Sequence, residues 1–131
     1  MIQENKIIYH DLSYKVNGIL FKVRKDLGQY RNEKQYCDAI EQQLKINKLN
    51  YEREKVLDVS FEGERPGRNK ADFVIEGKII LEVKAKPMVT TEDYYQIRRY
   101  LASTNLKLGI LANMRRYAVN PKRILNSEAS E

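Results

Sequence analysis

The chain has 131 residues, of which 42% are hydrophobic and 32% charged. That is one domain's worth of polypeptide, with enough apolar matter for a core and a composition unlike a disordered or collagenous chain. No stretch reaches the roughly 18 uninterrupted apolar residues of a membrane span, and Met1–Lys6 has no apolar run of signal-peptide type, so a cytoplasmic protein is expected. A single cysteine, Cys37, and a single histidine, His10, exclude an internal disulfide and a zinc site of soft or imidazole ligands, leaving oxygen to hold any metal.

From Tyr14 to Leu27 the apolar residues Val16, Ile19, Leu20, Val23 and Leu27 recur at helical spacing, which predicts a helix ended by Gly28. A second helix is expected from about Asn32 to Lys48, burying Tyr36, Cys37, Ile40 and Leu44, with Glu33 one turn before Cys37. Alternation from Tyr51 to Phe61, with Leu57, Val59 and Phe61 on one side, predicts a strand, and the turn-rich stretch Gly63–Asn69 a loop. Strands Ala71–Ile75 and Ile79–Ala85 follow, joined as a tight hairpin through Glu76-Gly77-Lys78, with Pro87 stopping the second. Thr90 or Thr91 caps a helix that carries Glu92 and Asp93 in its first turn and runs to about Ser103. A last buried strand spans Lys107 to Ala112; one short turn is expected at Lys122–Leu125 and a frayed tail at Asn126–Glu131. The order is that of an α/β domain with one mixed sheet.

Charge is distributed unevenly. The net charge is +6, and between Tyr94 and Ser127 stand seven basic residues and no acidic one, leaving 17 basic and 18 acidic residues elsewhere. Arg98, Arg99, Arg115, Arg116, Lys122 and Arg123, interleaved with Tyr100 and Tyr117, are the candidate nucleic-acid-binding residues, because cations release counterions from phosphates and aromatic faces stack on bases. A solvated basic face is the plainer alternative.

The hairpin carries the chemistry. Residue parity puts Ala71, Phe73, Ile75, Ile79, Leu81, Val83 and Ala85 on one apolar face and Asp72, Val74, Ile80, Glu82 and Lys84 on the other. With a three-residue turn Asp72 lies across from Glu82, and opposed like charges destabilise a sheet unless a cation sits between them. Val74 and Ile80 imply that this face is half covered, most naturally by the helix bearing Glu33. Two or three carboxylates plus a backbone carbonyl, for which Val83 is the candidate, match what magnesium accepts. A lysine two residues on can orient or deprotonate water and offset charge on phosphorus. A strand Glu-x-Lys is also commonly just solvated, Glu33 by itself reads as a first-turn acid stabilising a helix N-terminus, and Gln96 as a surface residue.

Asp72, nine residues and then Glu82-Val83-Lys84 resemble the PD-(D/E)xK nuclease superfamily. Leu27-Gly28, Glu33-Lys34-Gln35-Tyr36, Ala71-Asp72-Phe73, Ile80 to Ala85, Gln96 with Tyr100-Leu101, and Leu106 to Asn113 are similar, in order, to the GxxExxY family within it. Two positions depart from the pattern: Tyr30 stands where the family's opening glycine falls, and Ala71 where the superfamily has proline. The resemblance implies a restriction-endonuclease-like three-layer fold with a central mixed four-stranded sheet, and a nuclease dependent on Mg2+, or Mn2+ in its place, acting on DNA or, as the alternative, RNA. It further implies that Asp72 and Glu82 ligate the metal, Glu33 completes the acidic cluster, Lys84 activates or positions water, and Gln96 orients groups nearby. The rival is a catalytically inactive nucleic-acid-binding module on the same scaffold. With one active site per chain, cutting both strands would take a homodimer or two encounters.

Overall fold

A computed structural model describes residues 7–130; Met1–Lys6, read above for targeting, and Glu131 of the expected tail lie outside it. Three helices and five strands form in the order α1 (His10–Leu27), α2 (Glu33–Ile46), β1 (Tyr51–Val56), β2 (Lys70–Ile75), β3 (Ile79–Lys84), α3 (Thr91–Thr104), β4 (Leu108–Asn113) and β5 (Lys122–Leu125). The strands make one sheet ordered β1-β2-β3-β4-β5. All neighbours pair antiparallel except β3 and β4, which run parallel with α3 as their crossover.

Each helix follows from its sequence. The α1 stripe of Val16, Ile19, Leu20 and Val23 is buried, as is the α2 stripe of Tyr36, Cys37, Ile40 and Leu44. Asn32 caps α2 by accepting from the Gln35 N–H while the Gln35 side chain accepts the Asn32 N–H, a reciprocal pairing that fixes where the helix begins. Both helices cover one face of the sheet, packing on Phe73, Ile75, Leu81, Val83 and Ile110. On the other face, Ile97, Tyr100 and Leu101 of α3 pack on Val74, Ile80 and Leu111. The result is the three-layer α/β/α arrangement expected of a restriction-endonuclease-like fold.

Four expectations are corrected. The sheet has five strands rather than four, because Lys122–Leu125 does not form a turn but pairs antiparallel with β4 from Leu125 opposite Leu108 to Lys122 opposite Leu111. The segment expected to fray is tied back, the Asn126 side-chain amide donating to the Leu101 and Leu106 carbonyls at 3.2 and 3.0 Å. β1 ends at Val56, not Phe61: Leu57 turns into the α3-side core while Val59 and Phe61 are exposed. Finally, the helix covering Val74 and Ile80 is α3, not the one that carries Glu33.

β1 is irregular two residues before its end, at Glu54. Its backbone is left-handed, with φ of 51°, a conformation costly for a residue with a Cβ. Cα pairing runs Arg53↔Phe73 and then Lys55↔Ala71, omitting the rung at Glu54 and Asp72. Beyond this irregularity parity no longer predicts the face, and Ala71 packs with the α3-side cluster although Phe73 packs with the other.

Candidate active site

The site forms where β2 and β3 part. Their ladder stops at Phe73↔Leu81, and the next two residues replace main-chain rungs with side-chain ones. The Asp72 N–H donates to Glu82 Oε2 at 2.8 Å, and the Val83 N–H donates to Asp72 Oδ2 at 2.7 Å. The two carboxylates are thus locked side by side, as the three-residue turn predicts. Glu82 is buried at 3% exposure, and Asp72 is half-buried.

Electrostatics follow from that packing. Desolvation is the largest influence on both carboxyls. For Glu82 the charge of Asp72 adds to it, and the pKa is pushed up to about 8 despite the Asp72 N–H and Lys84, which favour the anion. Asp72 is also raised, by burial first, against the stabilising Val83 N–H and Lys84, with Glu54 adding repulsion. Both carboxyls therefore favour the protonated form more than they would in water.

Lys84, one side-chain position beyond Glu82 on the same strand face, donates from Nζ to Gln96 Oε1 at 2.9 Å. Its Nζ also lies 3.9 Å from Asp93. Asp93 is held mainly by Lys86 at 2.6 Å and accepts the Thr90 N–H at the start of α3. Burial works to raise the Asp93 pKa, but Lys86, the Thr90 N–H and Lys84 together hold it below the ordinary value. Gln96 and Asp93 thereby fix the Lys84 ammonium from the α3 layer.

From the opposite layer, Glu33 at the first turn of α2 shares a cleft of about 180 Å³ with Asp72, Glu54, Arg53 and Cys37. Its pKa is raised by desolvation and then by Asp72, although the residue stands exposed at the rim. Cys37 is buried, which pushes its thiol up to about 12 and leaves it a small hydrophobe rather than a nucleophile. Tyr36 is fully buried, its hydroxyl donating to the Gly28 carbonyl at 2.5 Å. Neither has a part in the chemistry.

The structure therefore brings together Asp72, Glu82, Val83, Lys84 and Gln96, with Glu33 at the edge. Among the described residues no three acidic, thiol or imidazole side chains gather to cage an ion. The donors present are nonetheless hard oxygens, and two adjacent carboxyls whose charged forms are disfavoured by burial would gain from a cation between them. They fit magnesium, which takes one or two carboxylates and keeps positions for water and phosphate oxygens.

A family model described as the PD-(D/E)XK nuclease superfamily matches residues 10–124. The chain belongs to the PD-(D/E)XK nuclease superfamily. No curated protein and no solved structure matches it.

The expected nucleic-acid residues are scattered. Arg98 and Arg99 are exposed on α3, and Tyr100 is core at 5% exposure, so its ring is closed to bases. Arg123 is spent on α1, donating to Ser13 Oγ and the Ile8 carbonyl, and Lys122 stands at the start of β5. Arg115, Arg116 and Tyr117 follow β4, whose Asn113 is level with Lys84, and so lie at the same end of the sheet as Lys84. Residue types alone missed Glu54, Lys86 and Asp93. Lys86 sits two residues after Lys84, a spacing that could have flagged it; only the strand irregularity reveals Glu54.

Proposed function

We propose that the chain is a magnesium-dependent nuclease that hydrolyses phosphodiester bonds in DNA, with its nearest affinities in the GxxExxY branch of the superfamily. The observation that carries this reading is the locked Asp72–Glu82 pair, both carboxyls raised by burial, with Lys84 braced beside it by Gln96.

Asp72 and Glu82 would hold the metal, with the Val83 carbonyl and Glu33 as further donors. When bound, the metal supplies Lewis-acid stabilisation of phosphate charge and makes water a better nucleophile at neutral pH. The ammonium of Lys84, restrained by Gln96, orients the attacking water and offsets negative charge growing on the phosphate. Asp93 divides its attraction between Lys86 and Lys84 and keeps both in the α3 layer beside the scissile bond.

The test is cleavage of DNA by purified protein in magnesium or manganese, with and without chelator. Cleavage should stop with chelator. Glu82→Ala and Lys84→Ala should each lose about 10²–10³ in rate while circular dichroism shows a folded chain. Variants that cut like wild type, or salt-sensitive binding with no cleavage in either ion, would overturn the reading, the latter in favour of a binding module.

A further inference from the structure

Several exposed aromatic residues stand on loops at the catalytic end of the sheet. Tyr30 is 82% exposed and Tyr117 92%; Tyr30 precedes Glu33 by three residues, and Tyr117 follows Asn113, the partner of Lys84 in the ladder, by four. Their loops are stitched together: Arg24 Nη2 donates to Gln29 Oε1, the Arg116 carbonyl and the Tyr117 carbonyl at 3.1, 3.2 and 3.1 Å. Gln29 Nε2 also reaches the Arg115 carbonyl at 3.4 Å. Phe61, 61% exposed, lies on the β1–β2 loop, which leaves the sheet at the same end.

Each tyrosine has an exposed arginine beside it, Arg31 next to Tyr30 and Arg116 next to Tyr117. Rings next to guanidinium groups, on loops braced by a third arginine, match a surface that stacks bases while its cations follow the phosphates. In duplex DNA the base faces are covered by one another, so a ring on a loop tip can stack only on a base that is unpaired or turned out.

We infer that Tyr30 and Tyr117 form a base-stacking platform that directs an unpaired DNA strand to the Asp72–Glu82–Lys84 site. This rests on the nuclease reading for what happens after binding, but binding itself can be measured without it.

The experiment is fluorescence anisotropy in chelator, with the full chain and a labelled oligothymidylate of about 20 nucleotides against a duplex of equal length. The single strand should bind at least about ten-fold more tightly. Tyr30→Ala and Tyr117→Ala should each weaken it by about ten-fold or more, leaving duplex binding unchanged, whereas Tyr30→Phe and Tyr117→Phe retain the ring and the affinity. Equal affinity for both forms, alanine variants that bind like wild type, or binding to neither probe would each overturn the inference. Magnesium-dependent cleavage of a duplex that is lost in Glu82→Ala would still leave the nuclease proposal standing, so the two can fail separately.

Discussion

At the residue scale, Glu82 lies buried beside Asp72, whose main-chain N–H donates to its Oε2 at 2.8 Å. Parity and a three-residue turn were enough to set Asp72 opposite Glu82 and to put Lys84 next along. What parity could not foresee was the left-handed Glu54, since nothing in the residue type marks a glutamate for that conformation; beside it Ala71 packs on the α3 side and Asp72 lines a cleft with Glu33. Because Glu82 has a folded-state pKa near 8 against an ordinary 4.5, it carries no penalty below about pH 4.5, where both folded and unfolded chains hold the proton. Stability is then lost as pH rises toward 8, by a few kcal/mol at about 1.4 kcal/mol per pKa unit. Glu82→Gln, neutral throughout, should flatten this part of the curve and be more stable than wild type at pH 8 without metal. Thermal melts from pH 4.5 to 8 check it, and manganese should raise the wild-type Tm most at the alkaline end while leaving Glu82→Gln unmoved.

At the element scale, periodicity located every helix to within a few residues, because each buries a stripe that repeats at 3.6. α1 begins before its apolar stripe does, since its first turn, His10 to Ser13, has Leu12 as its single apolar residue. The fifth strand was missed because Lys122–Leu125 has only Ile124 buried; its identity is set by the partner β4 rather than by its own pattern. The α3 layer sits close on β4 at Gly109, where an added Cβ would lie 2.7 Å from Ile97 Cδ1 and 2.9 Å from Ile97 Cγ1. Gly109→Ala should therefore destabilise the fold by about 1–3 kcal/mol through overpacking, read as a lower urea midpoint. Since α3 carries Gln96 and Asp93, the same variant should lose activity beyond its loss of folded protein. Asn32→Ala removes the cap that starts α2 and should cost about 1 kcal/mol, with an additional fall in cleavage rate if the Glu33 turn has to be held in place.

At the scale of the whole molecule, a run of like charge in sequence did not become a patch in space. The chain from Tyr94 to Ser127 crosses a helix, two strands and a loop, so Arg98 and Arg99 end up on the α3 surface, Arg123 against the start of α1, and only Arg115 and Arg116 at the end of the sheet that carries Lys84. That end instead gathers cations from segments far apart in sequence: exposed Arg31 and Lys34 before and within α2, and exposed Arg65 and Arg68 in the β1–β2 loop. Among the described residues none of these four makes an ion pair, so each is available to a phosphate. Each phosphate contact contributes about 0.7 to 0.9 to the slope of log affinity against log salt, the lower figure for a single strand. Neutralising Arg31 and Lys34 together, as Arg31→Gln with Lys34→Gln, should weaken binding and make that slope shallower by about 1.4 on single-stranded DNA. Neutralising Arg98 and Arg99 in the same way should leave the slope nearly as it is, because these two stand on the α3 helix rather than on the loops around Asp72. Anisotropy titrations between low and moderate salt distinguish the two placements, and a larger slope change for the Arg98 and Arg99 pair would move the strand's path from the loop-lined end to the outer face of α3.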